Sequence, residues 1–251
     1  SNNHCILKIV ADKSVDRLEY VKENYDNILV TSDPMDVLLD ETIDAIVIST
    51  PVKTHYDLAM EALSRGKHVL VEKPMATTSE EVRKIDELSR KQKLIAMVGH
   101  TFLFNPAVRY IKDIIDSKEL GDIRYIYCQR LNLGRIRDDV DALWNLAPHD
   151  ISIIQYWLDD PDPLNVTKKG MDYVQNNIDD VSFMTIQYQN KVMAHIHVSW
   201  LDPNKTRKIT VVGSKKMVVY DDIIDDKIKI YDKGIDKVAV LGQNMDFDKQ
   251  T

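Results

Sequence analysis

"DAIVISTPVKTHYDLAMEALSRGKHVLVEKP" (residues 44–74) holds two short apolar runs, each ending in a polar turn, with a helical pattern between them. Residues 45–48 are continuously apolar and stop at Ser49-Thr50-Pro51; residues 69–71 stop at Glu72-Lys73-Pro74. The segment 54–65 carries apolar residues at helical spacing and opens on Thr54, an N-cap type. Gly66 follows it, as suits the end of a helix. Continuous apolar strands joined through a helix imply a parallel sheet covered on both faces.

Outward from this stretch the pattern repeats. Strand-length apolar runs lie at 6–11, 28–30 and 94–98, and helical patterns at 14–25, 34–40 and 79–92. Ser14, Asp33 and Thr78 or Ser79 are N-cap types, Pro34 suits a first helical turn, and Thr78 with Glu81 has capping-box spacing. The first hundred residues read as a doubly wound α/β domain. After residue 100 the pattern changes. Helices are expected at 106–117 and over "DISIIQYWL" (150–158), and strands at 122–131, 164–170, 181–189, 191–200, 206–213, 216–221 and 227–231. Gln189-Asn190 separates two strand patterns as a hairpin signal. The expected organisation is a Rossmann-like parallel-sheet domain over 1–104, then an α+β domain with a large, mostly antiparallel sheet over 105–251.

Bulk properties exclude several classes. The chain has 251 residues, 44% apolar and 29% charged, as in an ordinary globular protein, and its net charge of −7 offers no basic footprint for nucleic acid. The apolar runs are far too short to span a membrane. Cys5 and Cys128 both fall in apolar strand-like runs, so buried thiols in a reducing, cytoplasmic setting are expected, not a disulfide framework.

In open α/β sheets ligands bind beyond the carboxyl ends of the strands. Those ends are Asp12 after "LKIVA", Ser49-Thr50-Pro51, Glu72-Lys73-Pro74, and Gly99-His100 after "IAMV". Asp12 can accept the ribose hydroxyls of an NAD adenosine and repel the 2′-phosphate of NADP; the alternative is a turn Asp capping the next helix. Thr50-Pro51 with His55 can bring a hydroxyl and an imidazole to a dinucleotide, or can be a Pro turn with a first-turn His. Pro74 biases Lys73 towards extended geometry and so aims its side chain. A lysine held beside a cationic ring gives up its proton more easily, which suits proton transfer. The alternative is a surface lysine paired with Glu72.

Residues 44–81, with "GHTFLFNPAVRYIKDII" (99–115) and "LWNLAPHDISIIQYWL" (143–158), resemble the glucose–fructose oxidoreductase, inositol dehydrogenase and rhizopine-catabolism (Gfo/Idh/MocA) family over nearly the whole chain. The resemblance implies an NAD(P)-dependent oxidoreductase acting on a sugar, sugar nucleotide or cyclitol hydroxyl or ketone by hydride transfer. It implies NAD more than NADP, a small carbohydrate substrate, and a homodimer or homotetramer formed through the open sheet face. The style of "LWNLAPHD" and "HVSWLDP" is most similar to members acting on sugar nucleotides or sugar acids. Position by position, Lys73 matches the lysine that contacts substrate and nicotinamide ribose, and His149 matches the proton acceptor. Thr50, Pro51, His55, Glu72 and Pro74 match cofactor-side positions, and Asp12 the ribose-binding acid. From the residues themselves, His149 follows Pro148 at the expected start of an apolar helix, where the dipole disfavours a cation and leaves an imidazole able to accept a proton.

Two departures accompany the resemblance. Asn145 stands four residues before His149, where the family usually has Asp; it can bond a hydroxyl but adds no charge to the base, and Asp141 or Asp150 are the candidates to compensate. No Gly-x-Gly-x-x-Gly occurs, and Gly66 is the first glycine. The similarity begins at the second strand of the family pattern, so two ladder faces are expected to lack a partner. The second reading is therefore a fragment or truncated, non-catalytic relative that oligomerises without binding cofactor. Elsewhere, His195 and His197 alternate on a strand and read as a half-polar sheet face or subunit interface more readily than a metal site. Arg130, Arg135 and Arg137 read as a solvated loop or as contacts to a substrate anion. No serine or cysteine has a triad-like setting.

Overall fold

A computed structural model describes residues 4–134, 136–138 and 140–234. The chain forms two compact units, Ser1–Gly99 and His100–Thr251.

In the first unit, β1 (Ile9–Ala11) leads through α1 (Val15–Asn24) to β2 (Leu29–Thr31), which pairs with it in parallel. After α2 (Pro34–Leu39), β3 (Ala45–Ile48) is joined through α3 (His55–Ser64) to β4 (His68–Val71), and β4 through α4 (Ser79–Gln92) to β5 (Ala96–Val98). These three strands form a parallel sheet in the order β3-β4-β5. The βαβ logic of residues 44–74 is therefore borne out, but the parallel ladder is in two pieces. β1 pairs only with β2, and β3 only with β4, among the described strands.

Coverage of both sheet faces is not realised at β3. The helices α3 and α4 pack on each other over a core of Ala59, Ala62, Leu63, Val69, Val71 and Ile85, while Val47 on the opposite side is 67% exposed. The caps follow the sequence closely. Ser14 and Asp33 accept from main-chain N–H groups of Arg17 and Met35, and Thr78 with Glu81 makes the full capping box. Thr54 precedes α3 but makes no cap bond; its hydroxyl donates to the Pro51 carbonyl within a 3-10 turn at Val52–Thr54.

The second unit begins with a 3-10 turn at Thr101–Phe104 and α5 (Pro106–Asp116), followed by β6 (Ile123–Leu133) and α6 (Ala142–Trp157). The remaining strands are β7 (Asn165–Met171), β8 (Val181–Gln187), β9 (Met193–Ser199), β10 (Leu201–Gly213), β11 (Met217–Asp221) and β12 (Ile228–Tyr231). The sheet order is β12-β11-β10-β6-β9-β8-β7; only the central β6–β9 pair is parallel. Gln189–Lys191 turns the expected β8–β9 hairpin, with Asn190 at φ 60°. Both helices cover one face, where Ile126, Cys128, Ala194 and Ile196 meet Val108, Ile111, Ile153 and Trp157. The Trp157 indole donates to the Val108 carbonyl at 2.9 Å and ties α6 to α5.

Helix α6 corrects the sequence reading. It starts at Ala142, capped by Asp141 accepting from Trp144 N–H at 2.8 Å, and carries Pro148 in its interior. Cys5 is also exposed and outside any strand, whereas Cys128 is fully buried. Among the described residues no helix is long and apolar enough to cross a membrane.

The Glu81 carboxylate in the capping box also accepts from the Thr77 hydroxyl and N–H, and these bonds, the hydroxyl first, hold its pKa below the ordinary value. Its share of stability is present above that ordinary value and lost as pH falls through the depressed one. Glu81→Gln is expected to lower the urea midpoint at pH 7, with the difference from wild type shrinking as pH falls towards 3. A difference independent of pH overturns this account.

Candidate functional site

In the first unit the strand-end residues are held by their own backbone. β3 and β4 are adjacent and parallel, so Thr50-Pro51 and Glu72-Lys73-Pro74 leave the sheet at the same end. His55, at the start of α3, is 2% exposed. Its Nε2 lies 2.7 Å from the Thr50 carbonyl and its Nδ1 2.8 Å from the Pro74 carbonyl. Carbonyl oxygens only accept, so both contacts are hydrogen bonds together only when the ring carries two N–H groups. The imidazole thus clamps one strand-end loop to the next instead of offering itself to a ligand. Thr50 and Thr54 hydroxyls lie 2.6 Å apart across the same turn.

The Lys73–Pro74 peptide is cis, and Lys73 is half-buried in the clamped loop. Its N–H donates to the carboxylate of exposed Glu72 at 3.2 Å. That carboxylate also lies against Gly99, beyond the end of β5: a Cβ on Gly99 would stand 3.1 Å from Glu72 Oε1. A side chain at Gly99 would crowd this carboxylate, and the Gly99 N–H donates to the Val71 carbonyl at 2.7 Å. Asp12, after β1, accepts from Ser14 N–H at 2.9 Å and pairs with Arg17 at 3.2 Å. These contacts, the Ser14 bond first, hold its carboxyl below the usual range. Asp12 is therefore a turn acid that remains anionic near neutrality.

In the second unit Asn145 and His149 share one face of α6 by their four-residue spacing, both half-buried. His149 lies half-way along the helix, so the first-turn dipole argument does not apply. Its ring meets Phe102 edge-on, with centroids 5.1 Å apart and planes at 63°. Both neighbouring acids have partners of their own. Asp141 caps α6 and pairs with Lys168, and Asp150 is engaged by Arg130.

Arg130 is not a solvated loop residue, one of the two readings the sequence left open, and falls in the strand expected at 122–131. It lies inside β6, 5% exposed, and forms a bidentate pair with Asp150: Nε to Oδ2 and Nη2 to Oδ1, both 2.9 Å. Burial pushes the Asp150 carboxyl up, and the Arg130 guanidinium opposes that shift. The guanidinium carbon also sits 4.9 Å over the Phe102 ring. Alternation in "IYCQR" (126–130) places Ile126, Cys128 and Arg130 on one face and was the signal for this burial. Arg137 is exposed, and Arg135 lies outside the described residues.

His195 and His197 stand on the sheet face opposite the helices, stacked with Phe183 at 6.2 and 4.2 Å; Tyr127 stacks on His195 at 5.7 Å. Among the described residues no group of three or more His, Cys, Asp or Glu is placed to hold a metal.

Residues 2–100 match the family profile described as the oxidoreductase family, NAD-binding Rossmann fold, and residues 108–219 match the GFO/IDH/MocA C-terminal domain. The chain is 27% identical over 202 residues to the UDP-N-acetylglucosamine 3-dehydrogenase of Acidithiobacillus ferrooxidans, covering 80% of this chain and 62% of that protein. It is 36% identical over 115 residues to the scyllo-inositol 2-dehydrogenase (NAD+) of Bacillus subtilis, covering 46% and 34%. In fold it is similar to the WlbA dehydrogenase of Bordetella pertussis, solved in complex with NADH and UDP-GlcNAcA. That likeness has a TM-score of 0.80 and 22% identity, covering 90% of this chain and 68% of that one. The chain spans 62% or less of the length of the curated relatives it matches.

His55→Ala removes a buried ring whose nitrogens reach the Thr50 and Pro74 carbonyls, at about 1–3 kcal/mol for the hydrogen bonding lost. A loss in that range, roughly 1–3 kcal/mol, is expected in urea unfolding. A loss below about 1 kcal/mol means the clamp does not hold these loops.

Proposed function

The chain belongs to the GFO/IDH/MocA oxidoreductase family, and from that premise we propose that it serves an NAD-dependent dehydrogenase acting on a sugar, sugar nucleotide or cyclitol. The observation that carries this reading is the clamped loop. Lys73 sits between Glu72, placed beside Gly99, and Pro74, whose carbonyl His55 holds. A lysine fixed in this way is built for a defined contact, unlike a solvated surface lysine.

When bound, NAD supplies the hydride acceptor. The residues present fit its ribose and nicotinamide side. Asp12 is an anion at a strand end, with acceptor oxygens for ribose hydroxyls and a charge that repels a 2′-phosphate. Thr50, Pro51, Glu72, Lys73 and Pro74 make the cofactor-side turns, and His55 holds those turns in place. No Gly-x-Gly-x-x-Gly run occurs in the 251 residues, so the assignment is confined to the ribose and nicotinamide side. Lys73 donates to the substrate hydroxyl and ribose, His149 accepts the hydroxyl proton, and Asn145 orients the substrate by hydrogen bonding. Similarity to dehydrogenases of a sugar nucleotide and an inositol supports the carbohydrate class and disfavours the non-catalytic alternative.

The same reading includes a homodimer or homotetramer in the cytoplasm, assembled through the outer face of the seven-stranded sheet. Tyr125, Met193 and Phe183 are 44%, 41% and 43% exposed there, and the outward residues of β6, β9 and β8 include no Asp, Glu, Lys or Arg. An uncharged centre is the usual anatomy of an interface. Seven strands at about 4.8 Å spacing and about 20 Å long present roughly 600–700 Å², near the ~800 Å² per partner of a standard interface.

Three outcomes test these assignments. Lys73→Ala and His149→Gln are each expected to lower kcat by about 100-fold or more with an unchanged urea midpoint. The assay is reduced-nicotinamide absorbance across a panel of sugar nucleotides, sugar acids and inositols; retained turnover refutes the assigned role. Asp12→Ser is expected to raise the NADP-to-NAD ratio of kcat/KM at least about tenfold, since roughly 1.4 kcal/mol of charge repulsion is removed; an unmoved ratio leaves Asp12 a turn residue only. Sedimentation velocity should show an oligomer for wild type and a monomer for Tyr127→Glu/Phe183→Glu, and a monomeric wild type removes the interface.

A further inference from the structure

Arg130, Asp150, Phe102 and His149 form a continuous chain of contacts inside the second unit. The bidentate Arg130–Asp150 pair is almost wholly buried, with side chains 6% and 1% exposed. Breaking such a pair is costly, yet replacing both members by apolar residues is often neutral or stabilising. Stability alone is therefore a weak reason for it. What the geometry supplies is direction. Arg130 is anchored in the central strand β6, in register with Val198 and Arg207 on its two neighbours. Two parallel hydrogen bonds fix the guanidinium plane. The Phe102 ring lies against that cation, and the imidazole of His149 meets the other contact of the same ring.

We propose that Phe102 and the Arg130–Asp150 pair are positioning residues for His149: the pair sets the Phe102 ring, the ring sets the imidazole, and pairing leaves no net charge beside it. The inference rests on the reading of His149 as proton acceptor. Burial and the bidentate bond to Asp150 set Arg130 to an internal partner.

The ionisable surroundings of this helix are few. Among the described residues, β6 carries Arg124, Cys128 and Arg130 on its helix-bearing face, Arg124 exposed, and β8 and β9 turn only uncharged side chains that way. The Thr101–Phe104 turn carries no charge, with His100 just before it. From α5 comes Lys112, bound to Asp116 and Asp159. On α6 itself are Asp141 and Asp150, and beyond the pair lies Arg207 with Asp222.

The test follows the His149 ring by NMR in the full chain with labelled histidine, the signal being assigned by its loss in His149→Gln. Asp150→Asn keeps the guanidinium and removes its partner, so the His149 midpoint is expected to fall by roughly 0.5–1 pH unit. Asp150→Asn/Arg130→Met removes both charges and should return the midpoint to within about 0.2 unit of wild type. A single variant without a shift, or a double variant that fails to restore the midpoint, overturns the electrostatic part. Phe102→Leu leaves the ion pair in place and guards against a poorly folded Asp150→Asn. Doubled or broadened His149 ring signals are expected as the imidazole samples a second rotamer, and a single set of unchanged width overturns the positioning. None of these outcomes depends on turnover, whereas a His149→Gln protein that keeps its turnover defeats the base assignment alone.

Discussion

His55 bonds two main-chain carbonyls, five residues before it and nineteen after it, from one buried ring. Short parallel strands cannot fix the loops that leave them; the ladder stops at Ile48 and Val71, and everything beyond must find its own partners. One histidine ring reaches both carbonyls, and it ties the loop carrying Lys73 to the end of the neighbouring strand. The Glu72 carboxylate adds a second restraint by resting where Gly99 has no side chain. Rigidity at this end of the sheet thus comes from side chains that bond the loops beyond the strands.

The second unit meets the same demand differently. Its proposed functional residues lie on a helix, so the variable to control is the rotamer of His149. Packing against Phe102 answers that, and the ring is itself held by a cation that the sheet has already neutralised. Burial makes this arrangement stringent: an unpaired charge at this depth costs several kcal/mol, roughly. Arg130 and Asp150 therefore behave as one group, and either alone is a different environment for the histidine.

Legibility in the sequence followed locality. Caps at Ser14, Asp33 and Thr78 were readable because a side chain bonds a main-chain N–H two or three residues away. The β8–β9 hairpin was readable because its turn is local too, with Asn190 in the left-handed region that Asn tolerates. The start of α6 was misread because Pro148 normally opens a helix, whereas here Asp141 caps one that runs through the proline. The "DALW" cap pattern was present but weaker than the proline signal. His55 resembled an ordinary first-turn histidine, since its second partner lies nineteen residues away. Arg130 resembled a loop cation, because charge outweighed the strand alternation that placed it inside. In each miss a long-range partner decided the role, and a local pattern has no access to such partners.

Asn145 takes on a different meaning in this setting. On α6 it stands one helical turn before His149, where an acid would lend the imidazole charge. Asp141 is spent on the cap and Asp150 on Arg130, so neither substitutes for it. An amide brings hydrogen-bonding capacity without charge, and the Arg130–Asp150 pair likewise brings contact without net charge. Both bring contact to this part of α6 without adding net charge of their own. On the proposed reading of His149 as proton acceptor, what α6 and its buried pair contribute is then orientation of the ring and not added charge.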